Sequence, residues 1–360
     1  MKLASHPVEP VDSVVSDVCV IAENLLRIPV ISTRRIDGSG NNRVYSVQCS
    51  DSKKYVAKFY FRHSSDQRER LEVEFASLSF LWRQGISDIP YPLAISREKS
   101  CAIYGFIEGK KITPAEITVD DINRVVDFLR RLKDLSGVAQ AQNIPPASEA
   151  CFSIKAIIAS IEERLNRLTS LKGQGEEYRK LEAFLRDDFK PFLTVLKRWA
   201  QRQCNLRNIS FDLEIPRRET TLSPSDFGFH NAIRANDGRV VFLDFEYFGW
   251  DDPAKTISDF LFHPAVILSQ SMKEIFVQRM FDIFKENGRL AERIKIAYPL
   301  FGLKWCMIML NEFVTSGFIR RVYATENLLD RNQMQREQLD KAKNFYCKIK
   351  ESYTEFPYAK

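Results

Sequence analysis

Histidine is scarce in this chain. Only four occur, at 6, 63, 230 and 263, and none stands at a sequence spacing suited to shared metal ligation, so a zinc site is not expected. The seven cysteines include no Cys-x-x-Cys pair, and an odd number cannot close a complete disulfide framework. Free thiols fit a reducing, cytoplasmic setting. No apolar run is long enough to span a bilayer; the most apolar late stretch, residues 298–314, is interrupted by Lys304 and Asn311. Glu9 and Asp12 fall where a secretory leader would need its apolar segment, so no export signal is expected. Internal repeats and low-complexity runs are lacking too. So is a dense field of one charge. The net charge is +6, with 53 Lys and Arg interleaved among 47 Asp and Glu. That suits a polyanion the size of a nucleotide, but neither a nucleic acid nor a membrane surface.

What is present is the composition of a globular protein, with 44% apolar and 28% charged residues. Twenty-six phenylalanines promise a substantial core, and 360 residues suffice for two modest domains or one two-lobed unit. The most informative stretch is Leu-Ser-Pro-Ser-Asp-Phe-Gly-Phe-His-Asn-Ala-Ile-Arg at 222–234, followed by Val-Val-Phe-Leu-Asp-Phe-Glu-Tyr-Phe-Gly-Trp-Asp-Asp-Pro at 240–253. Asn236-Asp237-Gly238 is a hairpin-turn signal, and residues 240–243 read as the returning strand, with Asp244 at its end. Asp226, Asn231 and Asp244 are thereby gathered at one end of a hairpin. Phosphoryl transfer needs such a set: one Asp to orient the attacking hydroxyl, an Asn and a second Asp to hold Mg²⁺ against ATP.

At these residues the sequence resembles the aminoglycoside phosphotransferase and choline kinase family, whose fold is similar to that of protein kinases. Asp-x4-Asn matches at Asp226 and Asn231, and the metal-binding Asp at Asp244; Asp-Phe-Glu-Tyr at 244–247 looks like the choline kinase version. Asp-Pro and the Ser-Asp-Phe that follows, within 252–260, resemble the family's next segment. One position departs. The family usually has His two residues before the catalytic Asp, and here Pro224 stands there, followed by Ser225.

Along the chain, residues 14–26 read as an amphipathic helix. A hairpin follows, with its tip at 38–42 and its second strand at 54–61, reached across Ser50-Asp51-Ser52. Glycines at such a tip let backbone N–H groups approach phosphate, although a tight turn is their commoner meaning. The fuller string Gly-Ser-Gly-Asn-Asn-Arg-Val-Tyr resembles the family's nucleotide loop, which implies ATP contacts from Gly38, Ser39, Gly40 and Asn41. Lys58 in the second strand is either an edge-strand charge or a phosphate ligand. Glu74, on a helix read at 68–84, is the carboxylate expected to hold it, with Glu72 as the fallback. Strands are expected near 92–96 and 101–107. By resemblance the segment after them implies adenine contacts near Gly105 and Ile107, with Tyr104 behind.

From residue 113 the pattern turns helical: a helix from a Thr118 cap to about 135, another over 154–171, one or two within 177–203, and others near 253–263, 271–286, 290–314 and 317–352. The expected fold is α+β and bilobal. Residues 1–108 form a small antiparallel nucleotide-binding lobe with one helix, and residues 109–360 a mainly helical lobe carrying the catalytic loop, 222–234, and the metal-binding strand end, 240–252.

The expected activity is ATP- and Mg²⁺-dependent transfer of the γ-phosphate to a hydroxyl of a small molecule, such as an aminoglycoside, an amino alcohol like choline, or a sugar-like acceptor. Glu246, Tyr247, Trp250 and Asp251 are candidate acceptor contacts, against the alternative that the aromatics are core and Asp251 and Asp252 cap the next helix. His230 reads as a local hydrogen-bonding residue. A pseudokinase acting through a protein partner is the alternative function, kept open by Pro224 and Ser225. GTP as donor and the oligomeric state stay open.

Overall fold

The computed structural model describes residues 11–36, 40–63, 68–265, 268–286, 288–325 and 330–358, with only the backbone described for 11–16. The chain divides into two compact units. One comprises residues 1–108 with 320–327, the other 109–319 with 328–360.

In the first unit, helix α1 (Val11–Leu26) precedes five antiparallel strands: β1 (Val30–Arg35), β2 (Arg43–Cys49), β3 (Lys54–Phe59), β4 (Pro92–Ser96) and β5 (Cys101–Gly105), in the order β1-β2-β3-β5-β4. The turn between β2 and β3 falls at 50–53, not at the tip expected at 38–42, which stands between β1 and β2, and it is set by local chemistry. Asp51 accepts from Lys53 N at 3.0 Å and from the Tyr55 hydroxyl at 2.9 Å, while Ser52 takes φ +63°. Alternation along the strands sends Val47, Ala57 and Ile103 into one core with Val18 and Ala22 of α1. Helix α2 (Arg70–Arg83) is inserted between β3 and β4 and turns Glu74, Leu78 and Leu81 inward. Residues 320–327, expected with the helical part, belong instead to this unit: Arg35 donates to Ala324 O and Arg43 to Tyr323 O, each at 2.9 Å.

The second unit begins with β6 (Gly109–Lys111) and continues with α3 (Val119–Asp134), α4 (Ile154–Thr169), α5 (Glu176–Ala183) and α6 (Lys190–Leu206). Caps fix the starts of two helices. Thr118 and Asp121 satisfy each other's backbone N–H groups at α3, and Ser153 accepts from Ala156 N at α4. One π-helical turn, Phe184–Phe189, joins α5 to α6 without a break, and Pro191, which has no N–H to donate, stands just after that turn. Strands β7 (Thr221–Ser223), β8 (Ala232–Ala235), β9 (Val240–Phe242) and β10 (Gly249–Asp251) follow, β7 pairing with β10 and β8 lying between β6 and β9.

Helices α7 (Pro253–Phe262), α8 (Gln270–Ile283), α9 (Leu290–Met309), α10 (Thr315–Ala324) and α11 (Arg331–Ser352) complete the chain. The stretch 317–352, read as one helix from its sequence, is therefore two. Asp330 starts the second by accepting from Asn332 N and Gln333 N at 2.9 and 3.2 Å. Among the described residues no helix is long and apolar enough to cross a membrane. All seven cysteines are free thiols.

Candidate active site

In the first unit, Lys58 of β3 and Glu74 of α2 form a buried pair, Nζ to Oε2 at 2.6 Å, with 8% and 3% of each residue exposed. The same oxygen accepts from the Tyr60 hydroxyl at 2.7 Å, and Tyr60 meets the Tyr104 hydroxyl at 2.7 Å. Burial, then the charge of Glu74, push both phenols well up, so they stay protonated and able to donate. Glu72, the fallback partner, pairs at the surface with Arg97 at 2.9 Å.

Gly38 and Ser39 lie outside the described residues; Gly40 and Asn41 follow them into β2. Next to these, Asn42 is buried and accepts from Phe61 N at 3.3 Å, tying the tip to the end of β3. Gly105 is less suited to the adenine role suggested for it, because its N–H already donates to Tyr91 O at 2.8 Å. Ile107 lies beyond β5, half-buried and outside regular structure.

In the second unit, the catalytic-type loop is held by alternate residues. Each acid is followed by a phenylalanine that points the other way: Phe227 and Phe245 both enter a cluster with Phe128 of α3, at ring-centroid distances of 5.6 and 6.2 Å. Phe242 of β9 completes it, 4.5 Å from Phe128 and 4.9 Å from Phe227. Arg234 of β8 grips Asp121, at the start of α3, through two bonds of 2.8 and 2.9 Å. The hairpin that bears the site is thus anchored at both ends.

The Asp226 carboxylate is half-buried and 3.0 Å from His230 Nε2. Asn231 donates its side-chain amide to Asp226 O at 3.0 Å, and its own carbonyl accepts from Leu243 N at 2.8 Å, just before Asp244. Asp244 has φ +67°, a left-handed backbone that turns the chain sharply where β9 ends. Its carboxylate oxygen and that of Glu246 lie within 4.8 Å of each other.

His263, just past α7, completes the surroundings of Asp226. It stacks on His230 with ring centroids 3.5 Å apart and planes 5° apart, and its Nε2 lies 3.7 Å from Asp226 Oδ1. Burial pushes the His263 imidazole down to about 4. Burial alone would raise the Asp226 carboxyl, but the His230 hydrogen bond and neighbouring positive charge outweigh it and hold the group at about 2. The expectation that the histidines stand apart is corrected here. Two of the four meet at the catalytic-type Asp, and no sequence spacing signals it because the fold of α7 makes the contact.

Three of the four residues nominated for the acceptor, Glu246, Trp250 and Asp251, are buried and are corrected as well. Trp250 is 1% exposed, donates Nε1–H to Ala141 O at 2.9 Å and carries the Arg217 guanidinium 3.5 Å over its ring. Asp251 is fully buried and accepts from Lys255 Nζ at 2.9 Å. Both lie on β10, which is paired with β7 and bridged at Trp250 to Pro146, and both side chains are buried and engaged within the protein rather than presented to a ligand. Asp252 caps α7 by accepting from Ala254 N at 2.7 Å. Glu246 is fully buried, whereas Tyr247 is half-buried. Besides His263, sequence reasoning missed Lys255 and the hydroxyl of Tyr60, whose contacts are all tertiary.

Residues 32–265 match the model of the phosphotransferase enzyme family, APH. No curated protein sequence gives a match. Several solved structures share the fold at low identity. A spectinomycin phosphotransferase in complex with ADP and spectinomycin is 12% identical, with TM-score 0.60 over 93% of this chain and 98% of that one. A choline kinase from Streptococcus pneumoniae is 12% identical, TM-score 0.59, over 92% and 98%. An ethanolamine kinase from Plasmodium vivax is 14% identical, TM-score 0.60, over 96% and 93%. The fold is therefore the two-lobed α+β fold of protein-kinase-like phosphotransferases. With its family model running from β1 to just past α7, the chain belongs to the phosphotransferase enzyme family.

Proposed function

We propose that this enzyme transfers the γ-phosphate of ATP, with Mg²⁺, to a hydroxyl of a small molecule in the cytoplasm: an aminoglycoside, an amino alcohol such as choline, or a sugar-like acceptor. The observation that carries the reading is the Asp226 loop. An ionised carboxylate is fixed by His230 and shares one hairpin with Asn231 and Asp244. Held at about 2, Asp226 is a weak base. It orients the acceptor hydroxyl and takes up its proton only as the bond to phosphorus forms, which suits a loose phosphoryl-transfer transition state.

Asn231 and Asp244 offer oxygen donors, the ligand type Mg²⁺ requires, and the Asn231 amide is oriented by its bond to Asp226 O. When bound there, Mg²⁺ neutralises phosphate charge. Glu246, buried with a carboxylate oxygen within 4.8 Å of that of Asp244, adds negative charge that a cation at Asp244 would offset. Lys58, aligned by Glu74 and Tyr60, is assigned to the α- and β-phosphates, and Gly40 and Asn41 to the same phosphates together with Gly38 and Ser39, which lie outside the described residues. Ile107 is retained as the adenine contact, and Tyr247 as the acceptor contact. Ligands named with the related folds, ADP with spectinomycin in one and AMP in another, support a nucleotide donor and a small acceptor.

ADP release from ATP should be measured with and without Mg²⁺ across aminoglycosides, choline, ethanolamine, amino sugars, neutral sugars and nucleosides. The reading expects one class to stimulate release and EDTA to abolish it. Bound ATP with no stimulation by any class would favour a nucleotide-binding module, and failure to bind nucleotide would overturn the reading.

A further inference from the structure

Pro224 offers the loop neither an N–H nor a polar side chain, yet the turn it begins is demanding. Asp226 N–H donates to Pro224 O at 2.9 Å, closing a three-residue turn with Ser225 at its centre at φ +69°. An L-residue with a side chain rarely holds that conformation unless its surroundings impose it. Two bonds do so here. Ser225 N–H donates to Ser223 Oγ at 3.0 Å, and Ser225 Oγ accepts from Lys255 Nζ at 2.9 Å.

Lys255 is 2% exposed, and all three of its N–H donors have acceptors: Ser225 Oγ, Asp251 Oδ2 at 2.9 Å and Asp259 Oδ2 at 3.0 Å. Asp251, Lys255 and Asp259 are spaced four apart, from the end of β10 along α7, so the ammonium is fixed by regular structure. Asp259 is steadied in turn by Trp305 Nε1 at 2.8 Å. Just past the end of the same helix, His263 stacks on His230, and both rings face Asp226 Oδ1. Helix α7 is thus the common reference for the backbone and the carboxylate of the loop.

We propose that Lys255 is a positioning residue for catalysis: clamped between Asp251 and Asp259, it holds Ser225 in its left-handed turn and thereby fixes the direction of the Asp226 carboxylate. The proposal rests on the reading of Asp226 as the residue that meets the acceptor. It also gives the buried Asp251 a purpose other than substrate contact.

Two variants of the full-length enzyme separate this role from mere stability. Ser225→Ala removes the contact to Lys255 but keeps the demanding backbone, without leaving a buried charge bare. Ser225→Gly also removes the contact, yet glycine adopts φ +69° without strain. With water as the acceptor, ADP release from Mg-ATP should fall about 10- to 100-fold in Ser225→Ala, because a displacement of about 1 Å costs that much, and should return to within about 3-fold of wild type in Ser225→Gly. Binding of a fluorescent ATP analogue should stay within about 3-fold in both. Wild-type turnover in Ser225→Ala, or Ser225→Gly as slow as Ser225→Ala, would overturn the proposal.

Amide exchange over 222–234 decides the clamp without any activity. Exchange should accelerate at least about tenfold in Ser225→Ala, and in Lys255→Met combined with Asp251→Asn, relative to helix α4 of the same sample. Unchanged exchange would overturn the clamp even if turnover fell. Faster exchange with no ATP turnover in the wild type would uphold the clamp and count instead against the phosphotransfer reading.

Discussion

At Asp226 and His263, burial acts on two adjoining groups with different outcomes. Burial opposes the charge of each, but Asp226 is compensated by the His230 bond and stays ionised down to about 2, whereas the buried His263 ring stays neutral down to about 4. The groups facing His263 are His230, Asp226 and the edge of Trp305. Its folded pKa is below the unfolded 6.5, so between 6.5 and about 4 the unfolded chain binds a proton that the native chain does not. Stability therefore falls as pH falls through this window, by at most about 1.4 kcal/mol per pH unit from this group. The Asp226 pKa is shifted down as well, so its contribution is fully present above the unfolded 3.8 and is lost as pH falls from there through about 2. Denaturant titrations across the window should show a shallower pH slope for His263→Phe than for wild type; equal slopes would refute the assignment.

Lys58 and Glu74 pose a related problem of a buried pair. Lys58→Met leaves the Glu74 carboxylate uncompensated and should destabilise the first unit by about 3–5 kcal/mol. Adding Glu74→Gln should restore most of that stability without restoring nucleotide affinity. Urea unfolding together with a fluorescent-nucleotide titration checks both halves, and recovered nucleotide binding in the double variant would show that Lys58 is only structural.

Elements whose signals are local were legible in the sequence. The Thr118 cap, the Asp51 turn and the Asn236-Asp237-Gly238 hairpin each place their polar groups within a few residues of the backbone they satisfy. Strand β1 was not legible: Val-Ile-Ser-Thr-Arg-Arg has no clean apolar alternation, and its pairing with β2 makes it a strand. Nor was the division of 317–352, where both segments are charged and helical and only the Asp330 cap marks the second start. Strand β10 owes its existence to close tertiary approach. A methyl group on Gly249 would lie 2.5 Å from both Ala147 N and Pro145 O, backbone atoms that cannot yield without moving the strand. Gly249→Ala should therefore cost at least about 1–3 kcal/mol, read as a lower urea midpoint with an unchanged slope. A substitution within about 0.5 kcal/mol of wild type would contradict this packing.

For the whole molecule, the two-lobed α+β fold was legible because its parts arrive in order: glycine-rich hairpin, strand lysine, helix glutamate, helices, then the Asp-Asn-Asp hairpin. The pairing of Lys58 with Glu74 was legible because a strand lysine and an inward helix carboxylate leave few other partners. Lys255, His263 and the burial of Trp250 were not, since each depends on where α7 and β10 pack rather than on neighbouring residues. If the intact chain binds Mg-ATP as proposed, nucleotide at 100 times its Kd should raise native stability by about 2.7 kcal/mol, and less with EDTA present. A thermal melt unmoved by saturating Mg-ATP would contradict this.

The role of Asp226 is tested most directly by one paired comparison: Mg-ATP affinity and ADP release in wild type and Asp226→Asn, with the acceptor that stimulates best. We predict affinity within about 3-fold and release lowered at least about 10²- to 10⁴-fold, the loss expected when a proton-accepting, orienting carboxylate is removed. Release retained in the variant, or affinity lost in step with release, would contradict the role assigned to this residue.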